Sequence, residues 1–107
     1  MDDERIRELF EGLGPVSIRR MFSGKGIYHN GVIFALFLRG EFMLKGDGEI
    51  AAEYEAAGGR RWTYRNKRHG KDVAMPYWTA PESALDDPDE MTIWACKAYA
   101  AGLRVEK

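Results

Sequence analysis

The sequence predicts an α+β domain of two layers, an antiparallel sheet of about five to six strands with helices packed on it, in the order helix, three to four strands, helix, two strands, helix. Three observations predict it. Ile6, Leu9, Phe10 and Leu13 recur at helical spacing. Asn30-Gly31 sits between apolar runs, where a type I′ hairpin turn needs positive φ at both central residues. Asp87-Pro88-Asp89-Glu90 combines an N-cap, a proline suited to the first helical position and acids placed against the helix dipole.

Each element follows in order. Gly12, Gly14 and Pro15 stop the first helix. Val16, Ile18 and Met21-Phe22 read as a strand, Ser23-Gly24-Lys25-Gly26 as the turn that ends it, and Ile27-Tyr28 as the start of the next strand. Val32 to Leu38 is apolar on both faces, as expected of a strand in the middle of the sheet, and Arg39-Gly40 turns it into Glu41 to Lys45. Asp47 caps a short helix with Ile50, Tyr54 and Ala57 on its buried stripe and Gly58-Gly59 as its terminator. Trp62 and Tyr64 alternate with Arg61, Thr63 and Arg65, so one face of the next strand is aromatic and the other basic. Asn66 to Gly70 then turns the chain back into Asp72 to Trp78. Met91, Trp94, Ala95 and Ala98 form the buried stripe of the last helix.

Length and composition bound the function. A chain of 107 residues, 45% hydrophobic and 31% charged, is expected to fold as a single domain over residues 1–107 around one core. No apolar run approaches the ~18 residues of a membrane span. The single cysteine, Cys96, has no partner for an internal disulfide, which fits a reducing compartment and a cytoplasmic location. The net charge of −1 offers no global attraction to nucleic acid. The charge is nevertheless uneven, because Arg60, Arg61, Arg65, Lys67, Arg68 and Lys71 occupy one stretch without an acid, while both terminal helices are acidic.

The sequence assigns no catalytic or metal site and no cofactor. Ser23-Gly24-Lys25-Gly26 lacks the spacing of a phosphate-binding loop and no helix follows it. His29 and His69 fall in or beside turns, away from any grouping at metal-ligand spacing. Cys96, among Trp94, Ala95 and Ala98, reads as a buried packing thiol. Asp86, Asp87, Asp89 and Glu90 read as caps and solvated acids.

Arg20-Met21-Phe22, Gly24, Gly26 and Tyr28, Gly31, Phe34-Ala35-Leu36 and Leu44-Lys45 with Asp47 together carry a resemblance. The chain is similar in these positions to the amino-terminal domain of the TfoX/Sxy competence regulators. The similarity continues through Trp62-Thr63-Tyr64, Tyr77-Trp78, Pro81-Glu82, Asp87-Pro88 and Trp94-Ala95, and so covers nearly the whole chain. Ser23 stands where that family commonly has a second consecutive glycine, and Pro76 where a small polar residue is usual. The regulators resemble two-domain proteins with a carboxy-terminal helical domain, and the resemblance implies that this chain is a standalone counterpart of the first domain. The shared positions Met21, Phe22, Gly24, Gly26, Tyr28, Gly31, Phe34, Tyr77 and Trp78 read as turn and core determinants.

The resemblance implies a non-enzymatic regulatory domain that binds a protein partner, the transcription machinery or its activator. On that expectation the basic stretch is an electrostatic patch for an acidic protein surface or for DNA phosphates, with Trp62 and Tyr64 able to stack on single-stranded bases. Alternatively the aromatic face is core and the charges solvate an exposed hairpin. A second hypothesis is a self-associating or chaperone-like protein-binding domain. A single helical layer leaves one face of Val32–Leu38 needing cover, which a homodimer, or the terminal helix or second hairpin of the same chain, would supply.

Overall fold

The computed structural model describes residues 2–21, 24–68 and 70–105. Asp2 accepts a hydrogen bond from the backbone N–H of Arg5 and so caps the first helix, α1 (Asp3–Leu9), whose Ile6 and Leu9 are buried. Six strands follow: β1 (Ser17–Met21), β2 (Gly24–His29), β3 (Val32–Leu38), β4 (Glu41–Lys45), β5 (Arg61–Asn66) and β6 (Lys71–Thr79). They form one sheet in the order β1-β2-β3-β4-β6-β5, every described pair antiparallel. Helix α2 (Ala51–Ala56) lies between β4 and β5, and α3 (Pro88–Val105) closes the chain after a short 3-10 turn, Glu82–Asp86.

Both hairpin turns expected within the first four strands are present. Asn30 and Gly31 have φ of 50° and 79°, and Arg39 and Gly40 have 51° and 81°, the left-handed pairs that a two-residue turn between twisted strands requires. The Ser23–Gly26 turn is corrected: Gly24, Lys25 and Gly26 are strand residues, paired with Met21, Arg20 and Arg19 on one side and with Leu38, Phe37 and Leu36 on the other. Gly24 is needed for close approach. A Cβ there would lie 2.2 Å from the Phe37 carbonyl oxygen and 2.3 Å from Leu38 Cδ2. Ser23 and Phe22 lie outside the described residues.

The sheet divides two apolar clusters. On the helical side Phe10 meets Phe34 and Phe42 edge to face, with Ile27, Leu44, Trp78 and the α3 residues Met91, Ala95, Ala98 and Ala101 around them. On the other side Leu36, Leu38, Met43 and Tyr77 are buried, flanked by Met21, Ile33, Trp62 and Met75. A bulge reconciles the apolar run of β3 with these two faces. Ile27 opposes Ala35 while Tyr28 opposes Ile33, so Phe34 is an extra residue, and Phe34 and Ala35 both serve the helical side. On the second face Met21 of β1 and Trp62 and Met75 of the second hairpin pack at the margins of this cluster.

Two helical details differ from expectation. Ala57 is exposed, because α2 ends at Ala56 and the buried positions of that segment are Ile50 and Tyr54. Cys96 is exposed rather than packed, since the buried stripe of α3 is Met91, Ala95, Ala98, Ala101 and Gly102, and one step beyond Ala95 turns the side chain outward. Trp94 is half-buried and donates its indole N–H to Glu90 at 3.2 Å. None of the described helices is long and apolar enough to cross a membrane.

Candidate interaction groove

The second hairpin borders a concavity on the surface. Its base is fixed where β6 pairs with β4 at Lys45–Tyr77, Leu44–Trp78 and Met43–Thr79. Trp78 is the anchor: its indole N–H donates to Glu55 at 3.0 Å and its ring lies beside that of Tyr54, on the helical side. Tyr77, the next residue toward the turn, points to the opposite face, as strand alternation demands.

Between Arg61 and Thr63 the register with β6 shifts, Arg61 opposing Trp78 and Thr63 opposing Ala74, so β6 holds two residues more than β5 over that step. Pro76, which has no N–H to give a ladder, lies in this irregular stretch. Its carbonyl accepts from Gly46 at 3.0 Å, and the Met75 carbonyl accepts from Arg61 Nε at 2.9 Å.

The irregularity leaves a groove of about 890 Å³ between β5 and the β3–β4 hairpin. Leu38, Met43 and Met75 belong to its lining, with Trp62 and Tyr64 from β5 and Arg39, Arg60, Arg61 and Arg65 as its cations. Glu41 is the carboxylate of the lining, 3.7 Å from Arg60. Arg61 stands 4.7 Å from the centre of the Trp78 ring, a cation–π contact that fixes its guanidinium. Arg39 and Arg65 are exposed, and no described carboxylate lies within ion-pair reach of either. The rings differ in availability: Trp62 is half-buried at centroid distances of 6.2 Å from Tyr64 and 6.4 Å from Tyr77, whereas Tyr64 is 45% exposed.

The basic stretch read from the sequence thus splits in two. Arg60, Arg61 and Arg65 line the groove, while Lys67, Arg68 and Lys71 lie at the hairpin tip, where Asn66 accepts from the Arg68 backbone N–H at 2.9 Å. Arg39 was missed. Nothing local marks it, because its approach to β5 depends on β6 lying between β4 and β5.

The shared positions are distributed through core, turn and strand contacts. Phe34, Tyr77 and Trp78 are buried, Met21 packs on the second cluster, Gly24 and Gly26 are strand glycines, and Gly31 holds its turn. Tyr28 carries Arg19 over its ring at 5.1 Å. Phe22 and His69 lie outside the described residues.

The remaining chemistry-bearing groups are engaged structurally. The His29 Nδ1–H donates to the Pro15 carbonyl at 2.7 Å, which leaves Nε2 to accept from Asn30 at 3.4 Å, and the ring meets Tyr99 edge-on. The Arg104 guanidinium, hydrogen-bonded to Asp47, holds that carboxyl below the usual range and is itself pushed up. A hydrogen bond from Lys25 lowers Asp3 likewise. Burial raises the Tyr54 phenol, which donates to the Lys45 carbonyl at 2.7 Å. Tyr77, desolvated and close to Tyr28, is pushed up to about 12. Among the described residues no three His, Cys, Asp or Glu side chains gather as a metal site would need.

Comparison with known proteins locates this architecture. The sequence pattern of one family, described as the TfoX N-terminal domain, matches residues 8–102. The chain is also similar to the DNA transformation protein TfoX1 of Aliivibrio fischeri, at 31% identity over 65 residues, which is 61% of this chain and 31% of that protein's length.

Proposed function

The chain belongs to the TfoX N-terminal domain family, and from that membership we propose that it is a non-catalytic regulatory domain which acts on DNA-uptake genes by binding a protein of the transcription apparatus. The working surface in this reading is the groove beside β5. One observation carries it: Arg39, Arg60, Arg61 and Arg65 line a concavity whose own carboxylate, Glu41, leaves most of that charge unneutralised, in a protein of net charge −1. A cationic concavity on a nearly neutral molecule favours an anionic partner locally, without the global attraction that non-specific binding along duplex DNA draws on.

The absence of catalysis in this reading is supported by where the shifted titratable groups sit. Asp3, Asp47 and Arg104 are in ion pairs that tie elements together, and Tyr54 and Tyr77 are in the packed clusters. Catalytic sites instead gather perturbed groups in a cleft. The reading is supported further by the similarity to a protein named for DNA transformation.

The test is the level of DNA-uptake transcripts in cells with the gene for this chain intact and deleted. Deletion is expected to change those transcripts, with restoration by the wild-type chain. Transcripts that stay level on deletion would sink the regulatory reading.

A further inference from the structure

We infer that the groove takes an extended acidic protein segment lying along β5, with carboxylates on Arg39, Arg60 and Arg65 and an apolar side chain seated on Leu38, Met43 and Met75. The inference deepens the reading above and rests on its premise that the groove is the working surface. Four observations point to this occupant.

The first is charge complementarity. Neither Arg39 nor Arg65 is in an ion pair with a described carboxylate, Asp72 standing opposite Arg65 in the ladder without reaching it, and Arg60 is 79% exposed despite its contact with Glu41, so their guanidinium forks are open to incoming carboxylates. The second is the shape. The groove runs between β5 and the β3–β4 hairpin, with Arg60–Arg65 along one side and Leu38, Arg39, Glu41 and Met43 along the other, a channel that suits an extended chain.

The third is the floor. Two methionines and a leucine make a soft apolar bed that adapts to a side chain, and at about 890 Å³ the groove is at the large end of the ~300–1,000 Å³ common for ligand clefts. β5 has six residues, about 20 Å of strand, which an extended segment of equal length matches. The fourth sets a peptide above single-stranded nucleic acid. Stacking bases in series needs several free ring faces, and here Trp62 is half-buried against Tyr64 and Tyr77, which leaves Tyr64 as the exposed ring of the groove.

The probe is a fluorescein-labelled decapeptide of alternating glutamate and leucine, measured by fluorescence anisotropy beside its glutamine–leucine counterpart and a labelled decathymidine strand. The glutamate peptide is expected to bind more tightly than the other two and to weaken as salt rises. An Arg39→Gln/Arg65→Gln variant is expected to weaken it about tenfold while keeping the wild-type urea midpoint, because both side chains are exposed. Failure of the glutamate peptide to bind, equal affinity for the double variant, or tighter binding of decathymidine overturns the inference. The two readings fail separately. Transcripts that respond to gene deletion while the peptide does not bind refute only the occupant, and peptide binding with level transcripts refutes only the regulation.

Discussion

At the scale of single residues, glycine has two uses that look alike in a sequence. Asn30-Gly31 was legible because the dipeptide and its apolar flanks specify a two-residue turn by local chemistry alone, and φ of 50° and 79° fulfil it. Gly24 was misread as a turn residue, because the reason for it, the Phe37 carbonyl 2.2 Å from where a Cβ would stand, comes from a strand thirteen residues on. Gly24→Ala is therefore expected to cost about 1–3 kcal/mol by overpacking against backbone that cannot yield. Gly48→Ala, with open space around it, is expected to stay within about 0.5 kcal/mol. Urea unfolding of the two variants checks this pair. Tyr77 gives a second prediction at this scale. Its phenol ionises at 10.0 when solvated and is pushed up to about 12 here, so the unfolded chain loses the proton first. The contribution of the neutral phenol is complete below pH 10.0 and is lost as the pH rises toward about 12. Ultraviolet titration of wild type against Tyr77→Phe should show one late phenolate step fewer in the variant, the raised Tyr54 phenol remaining in both.

Among elements, the two-residue hairpin turns and the Asp87 cap were legible and the long-range pairings were not. Asp87 accepts from the backbone N–H groups of Asp89 at 3.1 Å and Glu90 at 3.2 Å, the capping read directly from Asp-Pro-Asp-Glu. Asp47 accepts from the backbone N–H groups of Glu49 at 3.0 Å and Ile50 at 3.3 Å in the turn that leads into α2. The sequence did not show that the same carboxylate also holds Arg104, fifty-seven residues later, and so ties the end of α3 to the approach to α2. The expected cap is corrected: α2 is capped at Ile50 without a side-chain bond, and Asp47 serves the preceding turn, so Asp47→Ala is expected to cost about 1–2 kcal/mol mostly through those two lost turn hydrogen bonds, since Arg104 is partly exposed and its pair is screened. Low pH should act on the same contact. With the folded carboxyl held below its ordinary value of 3.8, the unfolded chain takes up the proton first as pH falls. The stabilisation is complete above that ordinary range and fades as the pH drops through the lowered value. An acid-unfolding curve for Asp47→Asn should show the loss of this component. The 3-10 turn at Glu82–Asp86 escaped the sequence reading because its five residues are too few to show a period.

For the molecule as a whole, the fold class and the six strands were within reach of the sequence, whereas the groove was not. Its lining comes from β3, β4, β5, β6 and the residues beside them, and Arg60–Arg65 is its longest contiguous run. The apolar pattern of β3 correctly called for cover on both faces, but which segment supplies it depends on how the sheet bends at Phe34 and at Pro76. The split of the basic stretch makes a prediction at this scale. Neutralising Lys67 and Arg68 at the tip is expected to change the association rate of an acidic peptide and its salt dependence. Neutralising Arg39 and Arg65 in the groove is expected to raise its dissociation rate. Stopped-flow measurements of the two double variants distinguish these effects.

The attachment of the second hairpin has a mechanical consequence. β6 is clamped to β4 only between Lys45–Tyr77 and Met43–Thr79, and from Lys71 to Ala74 its ladder is with β5 alone. The hairpin is thus a cantilever with Trp78 at its root. Like any beam fixed at one end, it moves least beside Arg61 and most at Arg68, so a partner that grips the tip has leverage on the groove, while one seated in the groove shortens the free length and stiffens what remains.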